Sequence, residues 1–336
     1  MQIGIKKYTL ELAHTFTISR ESNDTQDTMI VSLSLNGKTG YGEATSNNYY
    51  NFTVENMTAE IEAVRDEIES YDFDTPEHFY KHLQSLKLRT FTLCALDLAA
   101  SDLYGKLLGK PLYEIWGTDN SIYPTTNYTI GIDTIPKMVE KLKEKPWPVY
   151  KIKLGTQDDV AIVRELRKHT DSIFRIDANC AWTVEETIKN APLLKELGVE
   201  FLEQPLKADD WEGMAKVKKQ CILPVVADES CIVESDVEKC APYYDGINIK
   251  LTKCGGLTPA RRMIQKGKEL GLKIMVGCMT ESSVGISAIA QLLPQLDFVD
   301  MDGAMLLKKD IATGVEILEG GKVVFPTQPG SGIKLL

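Results

Sequence analysis

Residues 149–179 read VYKIKLGTQDDVAIVRELRKHTDSIFRIDAN. A short apolar run ends in a charged residue, a polar connection follows, and a stretch long enough for a helix of three turns leads to a second apolar run that again ends in a charge. The same texture runs from residue 122 to residue 302. Strand ends fall at Gly131, Lys153, Asp177, Glu203, Asp228, Lys250, Cys278 and Asp302, at intervals of 22 to 28 residues. A period of about 25 residues is one strand–helix unit, and eight of them describe a closed parallel barrel. The strands are continuous apolar runs, such as Ile222 to Ala227 and Ile274 to Val276, as expected when both faces of a sheet are buried. A doubly wound open sheet is the competing architecture, and eight regular units favour closure.

Outward from the barrel, the flanks change character. Residues 2–10 and 27–43 are β-branched and alternating, with turn signals at Asn36-Gly37 and Thr39-Gly40, which reads as a small antiparallel sheet. Residues 13–26 between them are polar and aperiodic and read as a mobile loop. From about Thr53 the pattern becomes helical, and Gly109-Lys110-Pro111 stops it. Residues 314–336 return to a Gly/Pro-rich hairpin texture. The expected organisation is an α+β module over 1–118, a barrel over 119–310, and a closing segment over 311–336 that packs back on the opening module.

Composition narrows the function. The 336 residues carry a formal net charge of −10, with 43% hydrophobic and 26% charged residues, an ordinary globular balance. A pI near 5.1 argues against nucleic acid or an anionic membrane as partner. No run of 18 apolar residues spans a bilayer, and the first residues lack the apolar core of a secretory signal. Seven cysteines without a C-x-x-C pattern read as reduced thiols of a cytoplasmic protein. All four histidines precede residue 170, so acid–base chemistry in the second half must use other groups.

Barrel enzymes build their sites at the carboxyl ends of the strands. Those ends read Lys151-Ile152-Lys153, Asp177-Ala178-Asn179, Glu203-Gln204-Pro205, Asp228-Glu229-Ser230 and Lys250. One strand-end acid alone reads as a cap on a neighbouring helix. Asp177, Glu203 and Asp228, in one register on three consecutive strands, can converge on a point, and three oxygen ligands without His or Cys suit Mg²⁺. Lys151 and Lys153 end the second strand and Lys250 the sixth, opposite it. Alternation points Lys151 and Lys153 the same way. Cations crowded beside Mg²⁺ lower a lysine pKa toward neutrality, where it can act as a base. A metal that binds a carboxylate stabilises the enediolate left when the adjacent α-proton departs. A base on each face then gives 1,1-proton transfer, whereas addition or elimination needs only one.

This set resembles the muconate-lactonizing subgroup of the enolase superfamily, and within it the dipeptide epimerases of L-Ala-D/L-Glu type. The resemblance spans the chain, including Gly109-Lys110-Pro111-Leu112-Tyr113 and Pro329-Gly330-Ser331-Gly332-Ile333. It implies an α/β fold, a modified TIM-type (β/α)7β barrel with an N-terminal α+β capping domain. It also implies Lys153 and Lys250 as the acid–base pair, Asp177, Glu203 and Asp228 as Mg²⁺ ligands, and Lys151 as a contact of the substrate carboxylate that depresses the pKa of Lys153. Glu229 and Asn179 would lie behind them. Cell-wall peptide metabolism and a homo-oligomer are within the family's habits.

Further matches concern the substrate. Arg20 stands where these epimerases carry an arginine for the distal carboxylate of glutamate, a task that suits a bidentate guanidinium; taken alone it is an ordinary solvated loop arginine. Thr129 matches a substrate-contacting threonine on the first strand. The run Gly277-Cys278-Met279-Thr280-Glu281-Ser282 resembles a pocket-lining motif, with Cys278 departing from the small hydroxyl residue of similar members; no histidine nearby makes it a nucleophile. On the eighth strand, Asp300 and Asp302 share a side by alternation. Two like charges that close want a cation between them, and the D-x-D-G run resembles the motif that binds the free ammonium of a dipeptide. N-acylamino acid racemase, o-succinylbenzoate synthase and cycloisomerase are the rival activities on the same fold.

Overall fold

In the computed structural model, which describes residues 1–336, the chain opens with an antiparallel meander of β1 (Gln2–Thr17), β2 (Ser22–Leu35) and β3 (Lys38–Thr45). Asn36 and Gly37 both take positive φ, 50° and 72°, the backbone that a two-residue hairpin turn requires. The helix Thr90–Leu108 lies across the meander and is buried on nearly all sides. Its backbone approaches β3 so closely that a Cβ on Gly40 or Gly42 would overlap the carbonyls of Ala99 or Ala95. Helices Val54–Ala63 and Pro76–Ser85 complete this module around a core of 21 buried hydrophobic residues.

The stretch 13–26, expected as a loop, is instead the far end of the β1–β2 hairpin. Phe16 pairs with Asn23 and Thr17 with Ser22, after a break in register between Glu11 and Phe16. Beyond that bulge the hairpin leaves its own core and runs over the barrel, with Leu12 bridging to Leu307. No alternating face is buried there, so the sequence shows no period of two although the backbone ladder continues.

The barrel strands are β4 (Tyr128–Ile130), β5 (Val149–Lys153), β6 (Ile173–Asp177), β7 (Val199–Glu203), β8 (Val225–Ala227), β9 (Gly246–Lys250), β10 (Lys273–Gly277) and β11 (Phe298–Asp300), parallel and adjacent in chain order. Each of the first seven is followed by an α-helix, and the eighth by only a short 3-10 turn, Gly303–Leu306. The order is therefore (β/α)7β. A parallel bridge from Thr126 to Val299 nearly closes the ring, helped by the Met301 amide donating to Thr126 Oγ1 at 3.1 Å. Two apolar cores of 33 and 19 buried residues lie mainly between sheet and helices.

Inside the ring, alternation stacks two layers. Phe201, Val226 and Met275 form a small apolar plug, and the inward residues two positions farther along β7 and past β8 are Glu203 and Asp228. The plug closes one end and leaves charged groups at the other. The opening module docks there through buried acids placed at helix N-termini, where free amides need acceptors. Glu43 accepts from the amides of Ser282 and Gly285 and from Ser282 Oγ, and Asp97 accepts from the Thr258 amide. The closing residues meet the same module: Ser331 donates to Asp102, and Ile333 packs with Ile30. No helix is long and apolar enough to cross a membrane.

Candidate active site

Strand pairing brings the charged strand ends together. Lys153 pairs in register with Asp177, and Asp177 with Glu203, so inward side chains at one height meet. Carboxylate oxygens of Asp177, Glu203 and Asp228 all lie within 4.8 Å of one another. Lys151 Nζ sits 3.1 Å from Asp177, 2.8 Å from Glu203 and 2.9 Å from Asp300. Lys153 Nζ is 2.6 Å from Asp177, and Lys250 Nζ 2.8 Å from Asp228.

These contacts set the protonation states. Burial opposes the charge of Asp177, but Lys153 and Lys151 outweigh it and hold its carboxyl low. Asp228 is likewise pulled low against burial, by Lys250 and Lys253. Glu203 is pushed up to about 7, by burial and then by Asp177. Burial works against the ammonium of Lys151 and of Lys250, yet Asp300 for the former and Asp228 for the latter carry both upward. The protein's own charges therefore do not bring these two lysines toward neutrality, because carboxylates face them more closely than other cations do.

The acid triad fits Mg²⁺. Its donors are all hard oxygens; Glu203 Oε2 is buried and faces Lys151 Nζ at 2.8 Å, while Asn248 Nδ2 donates to the other oxygen from 2.7 Å. Asp177, Glu203 and Asp228 are the residues that would hold the ion.

Above this layer lies a cavity of about 360 Å³ between barrel and opening module, lined by Arg20, Thr129, Lys153, Lys250, Cys278, Asp300 and Asp302 among others. Lys153 and Lys250 enter it from strands β5 and β9. Lys151, 1% exposed, lies beneath the lining, engaged by three carboxylates. Burial pushes the Cys278 thiol well up, so it is no thiolate nucleophile near neutral pH. Asp300 and Asp302 are adjacent but differently placed. Asp300 already has a cation, Lys151, and accepts from Asn127 Nδ2 at 2.7 Å. Asp302 accepts from the Thr129 amide and is pushed up to about 8 by burial and then by Asp300.

Arg20 is anchored on three sides. Nη2 donates to Glu229 Oε1 at 2.6 Å, Nη1 donates to the Asn179 carbonyl at 3.2 Å, and the guanidinium stacks 4.3 Å from the Tyr49 ring centre. Burial disfavours its charge, and Glu229 more than restores it. The Glu229 side chain is 2% exposed and that of Arg20 30%, and Glu229 Oε2 is buried with no other partner. Separating such a pair strands a buried carboxylate at a cost of about 3–5 kcal/mol, whereas a charge-assisted hydrogen bond elsewhere contributes roughly 1.5–3 kcal/mol.

Sequence reasoning did not find Lys253. It is fully buried and donates to Asp228 Oδ1 at 2.5 Å and to the carbonyls of Cys231 and Asn248. Its spacing, three after Lys250, was the available signal, though it also suits a surface helix. Glu43, buried near Glu281 between the modules, also escaped, and so did Tyr49 and Tyr50 in the cavity wall.

Residues 135–336 match the enolase C-terminal domain-like family model. An L-Ala-D/L-amino acid epimerase from Maribacter sp. (strain HTCC2170 / KCCM 42371) is 74% identical over 335 residues, covering 100% of this chain and 99% of the relative. The substrate-liganded L-Ala-D/L-Glu epimerase from Bacillus subtilis superposes with a TM-score of 0.93 at 26% identity, covering 99% of this chain and 98% of that one. A dipeptide epimerase from Enterococcus faecalis V583, complexed with Mg and the dipeptide L-Leu-L-Tyr, gives a TM-score of 0.91 at 29% identity over 99% and 98% of the two chains.

Proposed function

Because the chain belongs to the dipeptide epimerases of the enolase superfamily, we propose that it epimerises L-Ala-Xaa dipeptides, L-Ala-D/L-Glu among them, by Mg²⁺-dependent two-base proton transfer. The observation that carries this reading is that Lys153 and Lys250 line one cavity from separate strands of the ring, with the acid triad between them in chain order. Mg²⁺ held by Asp177, Glu203 and Asp228 would stabilise the negative charge that develops on the substrate carboxylate. One lysine, as the neutral amine, takes the α-proton into its Nζ lone pair; the other, as ammonium, returns a proton to the opposite face. The roles exchange in the reverse direction. Asp177 and Asp228 pin the two lysine termini through hydrogen bonds of 2.6 and 2.8 Å, which would hold one on each side of a bound α-carbon. Asp302, which has no lysine or arginine partner, is the group offered to the free ammonium of the dipeptide, and the packing of Cys278 and Thr129 shapes the wall around it. Seven free cysteines suit a reducing cytoplasm.

The test is exchange of substrate α-hydrogen in deuterated water across an L-Ala-Xaa library, read by mass spectrometry. Exchange with inversion is expected. A protein that exchanged N-acylated amino acids and not free dipeptides would be a racemase instead.

A further inference from the structure

Resting on the dipeptide-epimerase reading and refining it, we propose that Glu229 sets side-chain specificity by holding Arg20. The pocket would then take dipeptides whose epimerised residue is neutral in preference to those ending in Glu. A guanidinium binds a substrate carboxylate best when its charge is uncompensated and two N–H groups in one plane are free. Here Nη2 donates to Glu229 and Nη1 to the Asn179 carbonyl, so Glu229 already balances the charge, and one face rests on Tyr49. The Asn179 carbonyl is turned to Arg20 by a left-handed backbone, φ 44° at Asn179 and 66° at Cys180. Asn tolerates that conformation better than most residues. Such strain is kept where the surroundings enforce it.

Arg20 cannot leave cheaply. Glu229 Oε1 has only Arg20, and Oε2 has no hydrogen-bond partner at all. Swinging Arg20 to a ligand in the open cavity would strand a buried carboxylate, and the loss exceeds what one charge-assisted bond returns. With Arg20 charge-balanced in place, the rest of the wall beyond the two lysines offers no cation: Phe16, Ile18, Tyr50, Met279 and Leu306 are apolar or aromatic, Asn23, Gln26, Asn47 and Asn48 are neutral polar, and Glu21 is an acid. That surface favours a neutral side chain and opposes a second carboxylate.

The experiment uses L-Ala-L-Glu and L-Ala-L-Gln, which differ in charge and hardly in shape. For the wild type, Glu229→Gln, Arg20→Met and the double variant, kcat/KM is read by α-deuterium exchange. Kd is read by calorimetry with Mg²⁺ present, so a variant slowed in chemistry still reports its preference. The wild type is expected to favour L-Ala-L-Gln, and Glu229→Gln to move the Glu/Gln ratio toward Glu at least tenfold, about 1.4 kcal/mol. In the Arg20→Met background the same substitution should move nothing. A ratio unchanged by Glu229→Gln, or a wild type that favours Glu tenfold, overturns the inference. Absence of exchange from every L-Ala dipeptide overturns the epimerase reading instead, and the Kd ratios still judge the pair.

Discussion

Replacing Glu281 by Gln should make the protein more stable at alkaline pH and leave it nearly unchanged at acid pH. Glu281 lies 4% exposed beside Glu43. Glu43 accepts from Thr28 Oγ1, Ser282 Oγ and the amides of Ser282 and Gly285, whereas Glu281 accepts only from the Met279 amide. Glu281 is therefore the acid of the two that keeps its proton, its carboxyl pushed from 4.5 to about 8 by burial and then by Glu43. A carboxyl raised on folding binds its proton more tightly in the native state. Its contribution is fully present below 4.5 and is lost as pH rises through 8. At 1.36 kcal/mol per pH unit the whole window is worth about 4–5 kcal/mol. Gln copies the protonated form and does not titrate. Urea unfolding of both proteins between pH 4.5 and 9 should show the variant gaining on the wild type by several kcal/mol across that span. A difference constant to within about 0.5 kcal/mol would refute the assignment of the buried proton.

Lys153→Ala and Lys250→Ala should each abolish epimerisation while leaving α-deuterium exchange from one diastereomer only; epimerisation at the normal rate in either variant would refute the two-base scheme. Activity should disappear in chelator and return with Mg²⁺, and Asp177→Asn, Glu203→Gln or Asp228→Asn should each weaken Mg²⁺ binding measured by calorimetry; full activity in chelator would remove the metal from the scheme. N-acetylation of the dipeptide should cut kcat/KM by at least tenfold, about 1.4 kcal/mol, and Asp302→Asn should lower turnover of the free dipeptide in the same direction; comparable rates on free and acetylated substrates would move the protein to the N-acylamino acid racemases.

Much of the barrel is legible because its signal is local. A strand buried on both faces must be apolar along its length, so a lysine or acid at its end stands out, and the interval between such ends is set by one strand and one helix. K-x-K over Lys151–Lys153 and D-x-D over Asp300–Asp302 predict side chains that share a side, and both pairs do. The hairpin end over 13–26 was not legible, because a strand that buries neither face leaves no alternation to read. Asp300 shows a different limit. Its parity is a local property, but its partner, Lys151, is 149 residues away, and no local pattern announces that one carboxylate of the expected ammonium clamp also faces a lysine.

The sequence by itself determines which residues can face the inside of the ring, because side-chain direction follows from backbone period and each backbone period from its neighbours. Only the tertiary structure decides which of those groups neutralise one another. Arg20 and Glu229 are 209 residues apart, and Glu43 and Ser282 239 apart. Lys253 is a buried cation only because Asp228 and two backbone carbonyls close around it. Charge pairing falls off with distance in space and is indifferent to distance along the chain. The Arg20–Glu229 pairing therefore becomes visible only once the hairpin of the opening module is laid over the mouth of the barrel.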